Sequence, residues 1–298
     1  SAVCRELTRR GYANVVTRTS SDLDLTRQAD VEDFFSHERP EYVFLAAAKV
    51  GGILANSTYP ADFIYTNLSI AANVIHAAYK AGVKKLLNLG SSCIYPKFAP
   101  QPLKEEYLLG GPLEPTNEAY AIAKISAIKL CKFYNQQYGT DFISVMPTNL
   151  YGPGDNFDLQ NSHVIPGLMR KFHEAKANRA DEVVIWGTGT PRREFLYVDD
   201  LAKGCVFLME NKSAADIGEF VNIGTGEDVT INQLAELLKK ITGFNGRITY
   251  DRSKPDGTPR KLLDVSLLNS LGWKYGTALE SGLEYTYEWY KSSGAALR

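Results

Sequence analysis

The stretch Ala81-Gly-Val-Lys-Lys85-Leu-Leu-Asn-Leu89-Gly-Ser-Ser-Cys93 reads as a helix stop, a short apolar strand and an immediate turn. Gly82 ends an amphipathic run over Ala61–Ala81, in which Phe63, Ile64, Leu68, Ala71, Ala72, Ile75 and Ala78 recur at helical spacing. The strand Lys85–Leu89 then leads through Gly90 into small polar residues. Further along, Ala119–Tyr138 repeats the helical pattern with Ile122, Ile125, Ile128 and Tyr134 before Gly139, and Phe142–Met146 reads as the next strand. Such alternation specifies a parallel sheet with helices on both faces. The expected fold is therefore α/β, a Rossmann-like doubly wound sheet with a smaller α/β domain after it.

Working outward, Tyr42–Ala46 and Asn14–Thr17 are expected strands of the same sheet. After Met146 the texture changes: proline and glycine punctuate Pro147–Pro153, and a boundary is expected near Tyr151. Residues 1–151 then form the nucleotide-binding part and 152–298 mainly the substrate part, with the chain returning to the first near Phe195–Met209 and Phe220–Ile223. Thr230 with Gln233 forms a capping-box pattern ahead of Leu234, Leu237, Leu238 and Ile241. Ser1–Arg10 reads as the middle of a helix. In a doubly wound fold a strand and a G-x-G-x-x-G turn precede that helix, about 15 residues in all. Neither stands ahead of Ser1, so the chain as written is expected to fold poorly or to bind its cofactor weakly.

Chemistry concentrates on Ser91, Tyr120 and Lys124. Tyr120-Ala-Ile-Ala-Lys124 places a phenol and an ammonium one helical turn apart on one face. The cation is expected to lower the phenol pKa from about 10 toward neutrality, which suits proton transfer at a carbonyl oxygen. Ser91 follows a strand at its carboxyl end, where ligands of such sheets bind. A Tyr/Lys pair alone is more often just an exposed helical pair. Cys93, two residues beyond Ser91, offers a thiol that neighbouring cations tune. By itself a small buried hydrophobe is its plainer reading. His163, with an ordinary pKa of about 6.5, offers a second proton carrier or merely a helix-capping histidine. Arg18, at the end of Asn14–Thr17, favours NADP over NAD, since an arginine there accommodates the extra phosphate; the plain alternative is a solvated loop arginine.

Gly90-Ser-Ser-Cys-Ile-Tyr-Pro96, Glu114-Pro-Thr-Asn-Glu-Ala-Tyr-Ala-Ile-Ala-Lys124 and Met146-Pro-Thr-Asn-Leu-Tyr-Gly-Pro153 resemble the extended short-chain dehydrogenase/reductase family. Ala46-Ala-Ala-Lys-Val-Gly-Gly52, Asn161-Ser-His-Val-Ile-Pro166 and Lys254-Pro-Asp-Gly-Thr-Pro-Arg-Lys261 narrow the resemblance to its GDP-sugar epimerase-reductases. It covers nearly the whole chain. It implies epimerisation at C3 and C5 of GDP-4-keto-6-deoxy-D-mannose, then NADPH-dependent reduction at C4 to GDP-L-fucose. Cys93 and His163 would be the base and acid. Tyr120 and Lys124 would stabilise the enolate, and Tyr120 would protonate O4. The resemblance further implies NADP(H) contacts from Arg18, Ala46, Ala47, Lys124, Leu150 and His163. Substrate contacts would come from Asn149, Val164, Leu168, Lys171, Trp186, Arg193 and Lys261, with Arg192 and Arg260 as neighbouring alternatives. A homodimer pairing the Ala61–Ala81 and Ala119–Tyr138 helices is implied as well. The family often carries a second arginine where this chain has Ser20, which points to weaker NADPH binding.

Composition bounds the rest. The 298 residues carry a formal net charge of −1, which gives no bulk attraction to nucleic acid or to an anionic membrane. No apolar run approaches a membrane span, and no leader pattern argues for secretion. The four cysteines, Cys4, Cys93, Cys131 and Cys205, lie too far apart for a zinc site or a disulfide framework. Buried, reduced thiols in a cytoplasmic protein account for all but Cys93. Two rival readings stand: another nucleotide-sugar epimerase or dehydratase of the same family, and a catalytically idle nucleotide-binding scaffold. A dehydratase would carry an Asp-Glu pair where this chain has Ser92-Cys93.

Overall fold

The computed structural model describes residues 1–159, 162–254 and 256–294. Its centre is a four-stranded sheet in the order Tyr42–Leu45, Lys85–Leu89, Phe142–Pro147, Val221–Ile223, parallel throughout. Side chains alternate across it, as strand geometry requires. Leu86 and Phe142 join a core with Val74, Ile75 and Ala78, whereas Leu87, Ile143 and Val145 join one with Leu201, Cys205 and Leu208. Both faces are thus covered. Helices Pro60–Lys80 and Glu118–Tyr138 lie together on one side, and Val198–Asn211 lies on the other. Gly82 and Gly139, at φ 71° and 68°, stop the first two helices where the sequence places the stops.

Asn14–Thr17 departs from expectation and forms no strand. A strand exists only through its ladder, and among the described residues nothing pairs with this segment. The helix expected at the start is present as Ala2–Arg9 and packs on Val198–Asn211.

A third core is built from Tyr151, Ile165, Met169, Phe172, Val183, Ile185, Leu234, Leu238, Phe244 and Tyr290. Around it run the helix Val164–Ala177 and the parallel pair Glu182–Trp186 with Arg247–Asp251. The helix Ile231–Thr242 opens with the expected capping box, Thr230 with Gln233. Two short ladders link this region to the sheet. Asn149–Tyr151 pairs with Phe195–Tyr197, and Arg192–Arg193 lies between Val229–Thr230 and Arg260–Lys261. No helix among the described residues is long and apolar enough to cross a membrane.

Candidate active site

The site opens at the carboxyl end of Lys85–Leu89. A Cβ on Gly90 would fall 2.1 Å from the Met146 Cε, so the chain leaves the sheet through glycine and turns at once. Ser91 caps the one-turn 3-10 helix Ser92–Ile94, and its hydroxyl accepts the Cys93 N–H at 3.4 Å. Cys93 is half-buried, whereas Cys131 and Cys205 are fully buried, and burial pushes both of those thiols up to about 12. Of the three cysteines within the sheet region, Cys93 is thus the accessible one. Cys4, expected to be buried, is partly exposed on the Ala2–Arg9 helix.

Lys124 is buried on the Glu118–Tyr138 helix. Its Nζ donates to the Leu89 carbonyl at 2.9 Å and lies 5.7 Å from the centre of the Tyr120 ring. Burial lowers its pKa to about 8, with the negative charge of Cys93 opposing the shift. Tyr120 packs edge-on against Phe63. Its phenol is pushed up, first by burial and then by Cys93, so the expected lowering toward neutrality does not occur. The reason is geometric: the ammonium is spent on a backbone carbonyl, and the ring sits against an apolar neighbour. Tyr120 is therefore a phenol rather than a phenolate, the form that donates a proton.

The electrostatic reach of Cys93 extends to Tyr120 and Lys124 on one helix and to Lys261 on a distant strand, so two segments far apart in sequence converge on one thiol. His163 stands at the N-cap of Val164–Ala177, exposed, and its side chain makes no cap hydrogen bond. The imidazole is thus free of the capping role that its position suggests. Among the described residues no hydrogen bond joins it to the cluster. Its charge acts instead on Asp155, whose carboxyl burial raises.

On the cofactor side, Ala46 and Ala47 are exposed just past the end of Tyr42–Leu45, and Leu150 lies half-buried against the sheet core. Arg18 is ion-paired with Glu38 and lies over the Phe34 ring at 5.5 Å. On the substrate side, Trp186 is 65% exposed, with Lys171 at 5.2 Å and Lys254 at 5.7 Å from its ring. Asn149 Nδ2 donates to the Glu194 carbonyl at 2.8 Å. Val164 is half-buried, and Leu168 is buried in the third core rather than facing a slot.

The ladder Arg192–Arg193 with Arg260–Lys261 separates four cations into two pairs. Register sets Arg192 opposite Arg260 and Arg193 opposite Lys261, each pair on its own face. Arg192 and Arg260 both bond Asp228, at 2.7 and 2.5 Å. Arg193 donates only to the carbonyls of Arg192 and Thr258, and among the described residues Lys261 has no ion pair. Like charges directly opposite repel. On one face the two arginines share a carboxylate from within the protein, whereas among the described residues Arg193 and Lys261 on the other have no ion pair. Asp228, Glu194 and Lys254 were not singled out by sequence reasoning. Strand alternation through Pro-Arg-Arg-Glu was the available signal for the two faces, but no register between 192 and 260 can be read from sequence.

This arrangement is that of a nucleotide-sugar oxidoreductase on a doubly wound sheet, and residues 1–224 match the model of the NAD dependent epimerase/dehydratase family, to which the chain belongs. Within that family it falls among the GDP-L-fucose synthases. It is 64% identical over 290 residues to GDP-L-fucose synthase 1 of Arabidopsis thaliana, covering 97% of this chain and 89% of that one. It is 57% identical to GDP-L-fucose synthase of Escherichia coli (strain K12), covering 97% and 92%. The GDP-mannoheptose C4 reductase MlghC of Campylobacter jejuni, solved with NADP bound, superposes with a TM-score of 0.91 at 42% identity, covering 98% and 94%.

Proposed function

We propose that the chain converts GDP-4-keto-6-deoxy-D-mannose to GDP-L-fucose by 3,5-epimerisation and NADPH-dependent 4-reduction. The observation that carries this reading is the convergence of Cys93, Tyr120 and Lys124 at one strand end, beside a cation pair that has no ion pair among the described residues. The relatives named GDP-L-fucose synthase support the substrate. Residues 1–151 would serve the cofactor and 152–298 mainly the GDP-sugar.

The residues present fit NADP(H). Ala46 and Ala47 leave open backbone at the carboxyl end of Tyr42–Leu45, Lys124 stands beside it, and Arg18 offers a guanidinium, although one already held by Glu38. The cofactor supplies a hydride at C4. The chain's own residues do the rest. Protons at C3 and C5 are acidic because each carbanion is an enolate of the C4 ketone. Cys93 removes them from one face, and His163 returns them to the other. The Tyr120 phenol donates to the C4 oxygen, first as a hydrogen bond to the enolate and then as a proton. The Lys124 ammonium places a positive charge next to that oxygen. Ser91, whose O–H finds no acceptor among the described residues, donates a second hydrogen bond to it. Arg193 and Lys261 take the diphosphate, Asn149 contacts the sugar, and Trp186 with Lys171 and Val164 borders the guanine. Leu168 supports this wall from the core side.

A second copy of the chain is the proposed partner. The helices Pro60–Lys80 and Glu118–Tyr138 carry exposed Tyr65, Ile122 and Phe133, an apolar surface suited to pairing across a two-fold axis. Four free thiols fit the reducing cytoplasm.

The test is NADPH absorbance with GDP-4-keto-6-deoxy-D-mannose, with product stereochemistry read by NMR. GDP-L-fucose is expected, with NADPH preferred to NADH. Cys93→Ser should leave C3 and C5 unexchanged in deuterated water. A wild-type product reduced at C4 but unchanged at C3 and C5 would replace this reading by a plain C4 reductase.

A further inference from the structure

Glu194 is completely buried and has no cation bonded to it among the described residues. Burial raises its carboxyl pKa, and backbone amides oppose that shift. Oε1 accepts from the Thr225 N–H at 2.6 Å and the Gly226 N–H at 2.8 Å, and Oε2 accepts from the Leu263 N–H at 2.9 Å. A Cβ on Gly224 would fall 2.2 Å from Oε1, so the loop beyond Val221–Ile223 closes on the carboxylate only because residue 224 is glycine. The backbone of the same residue is used as fully. The Glu194 carbonyl accepts from Asn149 Nδ2 at 2.8 Å and from Thr148 Oγ1 at 3.3 Å.

Three proposed substrate contacts therefore hang on one residue. Arg193 precedes it in the chain, Asn149 bonds its carbonyl, and Lys261 stands two residues before the amide that grips Oε2. A buried carboxylate is expensive unless it is hydrogen-bonded or paired. Here it lies behind two cations that face one another with no acidic partner of their own. The titratable and charged groups facing Lys261 are Cys93, Arg193 and Glu194. The two acids favour its charged form, while burial, the largest influence, and Arg193 disfavour it. Glu194 thus works on the cation pair in two ways: it fixes their spacing through the loop amides, and its field helps Lys261 keep its proton.

We propose that Glu194 is a positioning residue for the diphosphate of the GDP-sugar, holding Arg193 and Lys261 side by side and sustaining the charge of Lys261. This rests on the reading of those two cations as the diphosphate site. Glutamine at this position keeps the shape, loses the charge, and sets an NH2 group against one of the three amides. The experiment measures GDP binding by calorimetry from pH 6 to 10 on wild type, Glu194→Gln, Glu194→Asp, Arg193→Ala and Lys261→Ala, with thermal unfolding of each. Glu194→Gln is expected to weaken GDP by about tenfold, to raise KM for the GDP-sugar with kcat little changed, and to lose GDP at lower pH than wild type. The direction follows from removing one of the two acids that favour charged Lys261, leaving Cys93 alone: its deprotonation then moves down in pH. Glu194→Asp keeps the charge and should restore the wild-type limb. If Arg193→Ala and Lys261→Ala both leave GDP binding intact, the diphosphate reading fails and takes this proposal with it. If both weaken GDP while Glu194→Gln binds normally, or weakens with its pH limb unmoved, the diphosphate site stands and the role of Glu194 is overturned.

Discussion

The strand Lys85–Leu89 has a lysine at each end, and the two are treated in opposite ways. At the amino end, the buried Lys85 ammonium donates to the carbonyls of Leu208 and Met209 at 3.0 Å each, bonds that of Lys212 as well, and lies 3.6 Å from Asp141. It caps the carboxyl end of the Val198–Asn211 helix, where free carbonyls gather. At the carboxyl end, the equally buried Lys124 has, among the described residues, a single carbonyl, that of Leu89, and no carboxylate partner. Both lysines lose stability by leaving water. One offsets part of it through several acceptors and Asp141, although burial still lowers its pKa. The other keeps a destabilised charge beside Tyr120 and Cys93, where an anionic enolate would stabilise it. One end of the sheet serves stability and the other serves chemistry.

The comparison breaks first at Lys124. Lys124→Met should lower kcat by roughly 10²–10⁴-fold, the usual worth of a positioned proton-transfer system. It should also stabilise the fold. A pKa of about 8 lies below the ordinary lysine value, so the unfolded chain binds more protons between the two. Stability therefore rises with pH through that window, and at neutral pH the buried charge costs ~3 kcal/mol in principle. Allowing ~1 kcal/mol for the lost bond to Leu89, urea denaturation at pH 7 should show a net gain. A variant less stable than wild type would mean that Lys124 is as well satisfied as Lys85.

The same group sets the pH profile. The ammonium is present below about 8 and lost above it. The Tyr120 phenol, pushed up, stays protonated throughout. The kcat of wild type at saturating GDP-sugar, where the titration of Lys261 in substrate binding does not enter, should fall above pH 8 with a single alkaline limb, by about tenfold per pH unit. Lys124→Arg, which does not titrate in this range, should remove the limb whatever its rate. A limb that persists in the arginine variant belongs to another group.

Lys85→Met sharpens the contrast from the other side. It leaves the last carbonyls of a buried helix end without donors, at ~1–3 kcal/mol for such a group. Denaturation should show a loss of ~2–4 kcal/mol, larger than for one bond because several acceptors share the ammonium. The kcat of the folded fraction at 25 °C should stay within about twofold. A rate loss matching that of Lys124→Met would erase the division between the two ends.

The two lysines also mark what was legible in sequence. Lys124 was visible because it recurs one helical turn after Tyr120, and helix spacing is a local property. The strands at 42–45, 85–89 and 142–147 were visible for the same reason, as short apolar runs bounded by Gly82, Gly90 and Gly139. Lys85 gave no signal, because its partners lie in a helix more than a hundred residues away and only tertiary packing brings them near. Glu194 and Asp228 were silent likewise: each is held by amides or guanidinium groups from two segments remote from each other. Asn14–Thr17 was legible as apolar and β-branched, but a strand needs a neighbour, which local pattern does not supply. The pKa of Tyr120 was misjudged because i, i+4 spacing gives proximity to a cation without saying that Leu89 already holds it.

The smallest expected effect tests whether the same division holds within the ladder of four cations. Asp228→Asn removes the acid that Arg192 and Arg260 share. Both guanidinium groups are more than a third exposed, so solvent screens most of what the pair contributes. Stability should fall by less than ~1 kcal/mol, and KM for the GDP-sugar should change by no more than about twofold. Arg193→Ala, on the opposite face, should raise KM by about tenfold. The contrast follows from one register: Arg192 and Arg260 share Asp228 inside the protein, whereas on the proposed reading Arg193 and Lys261 take the diphosphate. Equal losses in the two variants would show that the faces communicate, and that Asp228 sets the substrate cations rather than only their neighbours.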